Sequence, residues 1–426
     1  MSSPQQRDPY KGLRPYLEED AIFFFGRDND RIVVVNNLLA APLTLLYGPT
    51  GVGKSSVLRA GVAHDVLARA ESNKAKRGVP ELAVAVVDNW RNDPLNEIRQ
   101  RLREAIERVF PDGILDEEPK SLESALQHWS AKIGGPILVI LDQFEEYFLY
   151  NHADSDQSFV AQFSRLVNSF HTRANFLISI RQDALAQLDR FKSHLPNLFD
   201  NYVRIKHLDE KAARAAIENP IEQYNQFLDP EDRIHIEPDL VDAVLDGVRT
   251  GNVVLDLTRR GLSRSLPDRE RVIETPFLSM VMQRLWEEEV ARGARVLHLA
   301  TLERLGGAAS IVHSHLDGLM KKLTPEQQRL AARVFEYLVT PSGTKIAHRV
   351  DDLAAWAHTK PTSLTPVVQR LADLRILRRA SAHLEEAEVY EIYHDVLADA
   401  ILGWQTRYSQ EQASAEARAQ LAAEQA

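Results

Sequence analysis

Cysteine is absent from this 426-residue chain, which excludes disulfides and thiolate metal sites together. Long apolar runs are missing too. The longest, such as Pro136-Ile-Leu-Val-Ile-Leu141, are far too short to cross a bilayer. The N-terminus, Met1-Ser-Ser-Pro-Gln-Gln-Arg7, lacks the apolar core of a secretory signal. A cytoplasmic protein with no membrane partner is therefore expected. Positive charge is in deficit, 51 Lys and Arg against 61 Asp and Glu, for a net −10. That balance argues against nucleic acid or anionic lipid as a broad electrostatic partner, while leaving room for a local basic face. No G-x-S-x-G hydrolase signature occurs, no internal repeat is evident, and no His-x-x-x-His pair stands near an acid. A metal other than magnesium is not expected.

What is present has a centre. Gly48-Pro-Thr-Gly-Val-Gly-Lys54-Ser55 fits the phosphate-loop pattern G-x-x-x-x-G-K-[ST] without a mismatch. Leu43-Thr-Leu-Leu-Tyr47 before it reads as a strand, and Ser56-Val-Leu-Arg-Ala60 after it continues as a helix. Glycines let the backbone turn its N–H groups into a concave anion site, and the helix N-terminus adds partial positive charge. In that frame Lys54 reaches the β- and γ-phosphates and the Ser55 hydroxyl ligates magnesium.

The rest of the chain follows in order. Its length and its 44% hydrophobic, 26% charged composition fit a globular protein of roughly two to four domains. Residues 1–20, punctuated by Pro4, Pro9 and Pro15, read as a tether. Phe23, Phe24 and Phe25 precede Gly26-Arg27 and an amphipathic helix ending near Leu39. They fit either a hydrophobic staple on that helix or the wall of an adenine pocket. Further strands are expected at 82–87, 136–141, 175–180 and 202–206, alternating with helices. The pattern predicts a five-stranded parallel α/β sheet over residues 21–208, with ligand at the carboxyl strand ends. From Asp209 the strand signals vanish, so residues 209–323 read as an all-helical lid, with one long helical stretch at 301–323. Residues 324–406 give helix, helix, helix, then two short β pieces, the outline of a winged helix. Residues 407–426, rich in Ala, Glu and Gln, read as an exposed helix or linker, and their abrupt end suggests a missing downstream module.

Chemistry concentrates at the strand ends. Asp142 closes an apolar strand, where a second magnesium-side carboxylate belongs in phosphate-loop enzymes. Glu145 and Glu146 follow in the loop leaving that strand. Either one can orient and polarise the attacking water as general base, and the sequence does not say which. Arg181 ends the fourth strand, placed to sense the γ-phosphate or to pair with Asp183.

These segments resemble a family. Pro9-Tyr-Lys-Gly-Leu-Arg-Pro15, Phe24-Phe-Gly-Arg27 and the loop through Gly61 are similar to the start of bacterial STAND NTPases of the novel STAND NTPase 1 type, relatives of AAA+, NACHT and NB-ARC ATPases. Asp142-Gln-Phe-Glu-Glu146, Ile180-Arg-Gln-Asp-Ala184, Thr275-Pro-Phe-Leu-Ser-Met-Val-Met-Gln-Arg-Leu-Trp286 and Ile392-Tyr-His-Asp-Val-Leu397 continue the resemblance, which covers roughly residues 8–406. It implies ATP/ADP and Mg2+ as cofactors. Phe25, Gly26 and Arg27 would lie by the adenine and ribose, and Pro276 would pack against the base. Pro49, Thr50, Gly51, Val52, Gly53 and Ser56 would complete the cradle around Gly48, Lys54 and Ser55. His394 would bond the diphosphate of ADP and hold a closed state. The family's usual effector domains and sensor repeats are not in this chain, so the sensor or effector partner stays open.

The expectation is an ATP/ADP switch with slow hydrolysis, catalytically served by Lys54, Glu145 or Glu146, and Arg181. It would be closed with ADP and would open to self-associate with Mg·ATP in signalling or defence. The alternative is a DNA-loading or remodelling ATPase of the AAA+ type, reading DNA through the winged helix.

Overall fold

The computed structural model describes residues 8–90, 93–110, 119, 121–151, 157–169, 171–249, 272–340, 346–379, 389–393 and 397–425. The chain divides into two compact units, one of residues 1–235 with 273–276, the other of residues 236–272 with 277–426.

The first unit is built on five strands, β1 (Leu43–Gly48), β2 (Ala83–Val87), β3 (Ile137–Leu141), β4 (Ala174–Arg181) and β5 (Tyr202–Arg204). They form one parallel sheet in the order β2-β3-β4-β1-β5. Parallel strands need both faces covered, which explains why β3 is apolar at every position. Alternation sorts its side chains. Ile137, Val139 and Leu141 join the core under helices α4 (Pro94–Val109), α5 (Leu122–Ile133) and α6 (Gln157–Asn168). Leu138 and Ile140 join the core on the other face, with Val34, Val35 and Leu38 of α1 (Asp28–Ala40) and Val52 and Val57 of the phosphate loop and its helix. That helix starts as α2 (Lys54–Ser56), runs through a π-helical stretch (Val57–Ala63) and resumes as α3 (His64–Arg77). A π segment straight after a phosphate loop is not visible in the apolar spacing, which predicts an ordinary helix.

Residues 8–20, expected as a tether, are instead packed down. Tyr10 is 2% exposed, and its hydroxyl donates to the Ile217 carbonyl on α7 (Glu210–Asn225). Lys11 pairs with the buried Asp20 at 2.7 Å, and the Tyr16 N–H donates to Ser56 Oγ at 3.2 Å. Two tyrosines supply apolar area that a proline-rich reading of the segment overlooked.

The second unit is mostly helical. Its helices are α8 (Pro238–Gly247), α9 (Thr275–Glu288, whose first two residues belong to the first unit), α10 (Leu299–Arg304), α11 (Gly307–Met320), α12 (Pro325–Leu338), α13 (Val350–Trp356), α14 (Pro361–Asp373) and α15 (Leu397–Gln425). The stretch expected as one helix over 301–323 is broken where Gly306 and Gly307 take φ of +81° and +84°. Strands β6 (His348–Arg349), β7 (Leu377–Arg379) and β8 (Val389–Ile392) form an antiparallel sheet in the order β6-β8-β7. The start of α15 packs on α11 and α12. Trp404 meets Phe335 edge-on at 5.9 Å, and Arg407 pairs with Asp317. Among the described residues no helix is long and apolar enough to cross a membrane.

Candidate functional site

The register of the sheet assembles the site. Gly48, the first residue of the phosphate loop, pairs with Arg181 at the end of β4. Asp142 follows β3, whose last residue Leu141 pairs with Ile178 of β4. Loop, carboxylate and arginine thus meet at one carboxyl edge, as their positions at strand ends predict.

Gly48 is there because nothing larger fits. A Cβ at that position would stand 2.4 Å from the Ile205 carbonyl oxygen, where β5 pairs alongside β1. Gly48→Ala should push the loop off β5 and destabilise the unit by about 1–3 kcal/mol, as overpacking does. A lowered Tm together with weakened ADP binding is the expected measurement, and an unchanged Tm would contradict the close approach.

The loop holds its own lysine. Lys54 Nζ donates to the Gly48 and Pro49 carbonyl oxygens, each at 3.0 Å. Arg181 is buried, with its guanidinium bonded by Nε and a terminal nitrogen to both carboxylate oxygens of Asp183. Of the two placements proposed for Arg181 from the sequence, the pairing with Asp183 is present, and the residue stands beside Gly48 of the phosphate loop.

Asp142 is 1% exposed. Its Oδ1 accepts from the Gln143 N–H at 2.9 Å, and its carbonyl accepts from the buried Trp90 indole at 2.9 Å. Oδ2 is buried and finds no hydrogen-bond partner among the described residues. A buried carboxylate oxygen in that condition fits a hard cation or a cation-bound water, so the donor set suits magnesium. Ser55, in the first turn of α2, is the other oxygen assigned to it. Among the described residues no three His, Asp or Glu side chains converge as a metal site by themselves. Phosphate oxygens and water would have to complete the shell.

Gln143 adopts φ +53°, a left-handed conformation uncommon for a residue with a side chain. It turns the chain sharply after Asp142 into a 3-10 turn, Phe144–Glu146. Phe144 and Tyr147 stack at 4.9 Å inside an aromatic cluster with Trp90, which anchors the turn from below. Glu145 comes out facing the site, its Oε2 accepting from the Arg181 N–H at 3.2 Å. Burial raises the Glu145 pKa above the usual carboxylate range, and Asp142 adds to that, while Lys54 and Arg181 pull the other way. The lysine, both carboxylates and the arginine therefore act on one another. Glu146 lies partly buried on the same turn.

The upstream residues are placed differently from one another. Phe23 is buried and Phe24 packs against Tyr16 at 5.5 Å, while Phe25 is half-buried. Arg27 is 7% exposed and donates to the Val52 carbonyl at 2.7 Å, the Lys206 carbonyl at 2.9 Å and Asp30 at 2.7 Å. Pro276 opens α9, three residues after Ile273, whose backbone bridges Leu208 beyond β5. His394 lies outside the described residues. Three features escaped the sequence reading: the Trp90 bond to Asp142, the Tyr16 bond to Ser56, and Ser179, a hydroxyl in the otherwise apolar end of β4. Only the last left a signal, one polar residue inside Ile178-Ser-Ile180.

A parallel sheet of this order, carrying G-x-x-x-x-G-K-S after β1 and an aspartate after β3, defines a P-loop NTPase. The chain belongs to the novel STAND NTPase 1 family, whose model matches residues 9–426. Among curated proteins none matches it. Solved structures of similar fold include a Walker-type ATPase of Pyrococcus abyssi, at 16% identity over 91% of this chain and 98% of that one, TM-score 0.42. Another is the ORC1 protein of Aeropyrum pernix in complex with DNA, at 14% identity over 93% and 95%, TM-score 0.46.

Proposed function

We propose that this NTPase is an adenine-nucleotide switch with slow ATP hydrolysis. The observation that carries the reading is the state of the two cations at the phosphate edge. Lys54 bonds the loop's own carbonyl oxygens and Arg181 bonds Asp183, both beside Glu145. A γ-phosphate competes for both cations, so its arrival rearranges the contacts of the loop and of the β4 end, whereas ADP leaves the Arg181–Asp183 pair alone. Magnesium, held by Ser55 and Asp142, would neutralise charge on the β- and γ-phosphates. Glu145 accepts a proton from the attacking water. Residues 209–323 serve as a lid and 324–406 as a winged helix, with Pro276 on the adenine and His394 on the ADP diphosphate in a closed cytoplasmic monomer. ATP weakens the His394 contact and exposes a surface for self-association.

Such a switch needs nucleotide affinity to differ between two conformations. Taking a population from 99% closed to 99% open requires about 5.5 kcal/mol of preference, so a sensor partner contributes. Identifying the nucleotide that co-purifies is the direct test, with ADP expected; an empty, rapidly cycling site contradicts the latch. His394→Ala should speed nucleotide exchange or raise self-association, and no change in either would sink its assigned role. Two of the basic side chains on which the DNA-loading alternative would draw already have partners on β8. Arg378 pairs with Glu391, and Arg379 bonds the Tyr390 hydroxyl. Salt-dependent binding to duplex DNA would bring that alternative back.

A further inference from the structure

Two buried oxygen atoms that find no hydrogen-bond partner among the described residues stand side by side, one just past the end of β3 and one on β4. One is Asp142 Oδ2; the other is the hydroxyl of Ser179, which is 0% exposed. Register and alternation bring them side by side. Leu141 pairs with Ile178, and the Asp142 N–H, just past β3, still donates to the Val87 carbonyl of β2 at 2.8 Å, so Asp142 comes level with Ser179 of β4. Ser179 pairs with Leu46 of β1, and residues paired across a parallel sheet share a face. Leu46, Leu177 and Ile140 all belong to the core covered by Val52 and Val57, while Ile178 and Ile180 belong to the opposite one. Asp142, two residues after Ile140, and Ser179, two after Leu177, therefore both point toward the phosphate loop.

A buried polar atom normally finds a partner, and two of them together on one face offer a water the polar contacts it needs. We infer that Ser179 is a positioning residue for Asp142: its hydroxyl, through a shared water, fixes the carboxylate whose Oδ2 serves the magnesium side of the site. Groups that orient a metal-side ligand change metal affinity without touching metal or substrate. The inference rests on reading Asp142 as that carboxylate, and the experiment separates the two.

The test uses the full chain, mant-ATP as probe, and magnesium titrated from a chelated start. Ser179→Ala removes one oxygen from a packed site and is expected to fold. It should raise the magnesium concentration needed for tight mant-ATP binding about 10–100-fold, with metal-free affinity unchanged. Asp142→Asn should raise it at least as far. A serine that is merely buried gives a different result: losing an unpartnered hydroxyl raises Tm, and the magnesium midpoint stays put. That result, with Asp142→Asn still shifted, overturns the role of Ser179 and leaves Asp142 standing. An unshifted midpoint in both variants overturns the reading of Asp142 and the inference with it.

Discussion

Glu145→Gln is expected to lower ATP turnover about 10²–10⁴-fold, the worth of a positioned general base. Nucleotide affinity should hold or rise, because a negative charge is removed from the edge proposed to take the γ-phosphate. The amide is close to isosteric, and its oxygen still accepts the Arg181 N–H that the carboxylate accepts. Geometry is thus preserved while proton acceptance is lost. Glu146→Gln should leave turnover near the wild-type value. Steady-state phosphate release beside mant-ATP titration measures both. Equal losses in the two variants would remove the assignment of Glu145 and point to a general effect on the turn.

The same residue sets a pH dependence whose sign can be worked out. Burial lifts the Glu145 pKa above its unfolded value, so the folded state favours the protonated form. The resulting stability is fully present below the unfolded pKa and is lost as pH rises through the folded one. Glutamine escapes that loss. The Tm advantage of Glu145→Gln over wild type should therefore be absent in acid and appear toward neutral pH. Turnover follows the opposite limb, since a base must be ionised to work. Its acid limb should lie above the ordinary glutamate range of about 4.3.

What the sequence made legible and what it hid differ in kind. Strands β1 to β4 were readable because a doubly covered sheet demands largely apolar runs, while the edge strand β5 is exposed at Tyr202 and Arg204; Asp142 was readable because it directly follows β3. Most helix positions in the second unit were readable from spacing; the break at Gly306-Gly307 and the start of α15 at Leu397, ahead of the tail expected at 407–426, were not. Choosing between Glu145 and Glu146 was not possible, since adjacent residues on a 3-10 turn point apart and the direction depends on Gln143. Left-handed φ at a glutamine leaves no compositional trace. The packed N-terminal segment was hidden for a related reason: Tyr10 and Tyr16 find their partners some 40 to 200 residues away, beyond any local pattern. The neighbouring oxygens of Asp142 and Ser179 depend on strand register, which a list of strands does not contain.

Arg27→Met should weaken binding of every phosphate-bearing ligand about 10–100-fold, regardless of base. The Val52 carbonyl lies between Gly51 at φ +78° and Gly53 at φ +91°. Arg27 holds that oxygen at 2.7 Å, from a buried position braced by Asp30 and the Lys206 carbonyl. In a trans peptide the N–H points opposite the C=O. Fixing the Val52 carbonyl toward Arg27 therefore fixes the Gly53 N–H in the other direction, as an amide of the anion cradle. Methionine keeps the apolar volume and removes every donor. A hydrogen bond to a charged group contributes about 1.5–3 kcal/mol, and 1.4 kcal/mol corresponds to tenfold in affinity. Family resemblance instead sets Arg27 beside adenine and ribose, which predicts selective loss of adenine nucleotides. Inorganic tripolyphosphate, GDP and ADP, titrated against wild type and Arg27→Met by calorimetry, separate the two roles. Parallel losses for all three ligands mark a residue that shapes the loop. Wild-type affinity for tripolyphosphate with ADP binding lost would return Arg27 to the base.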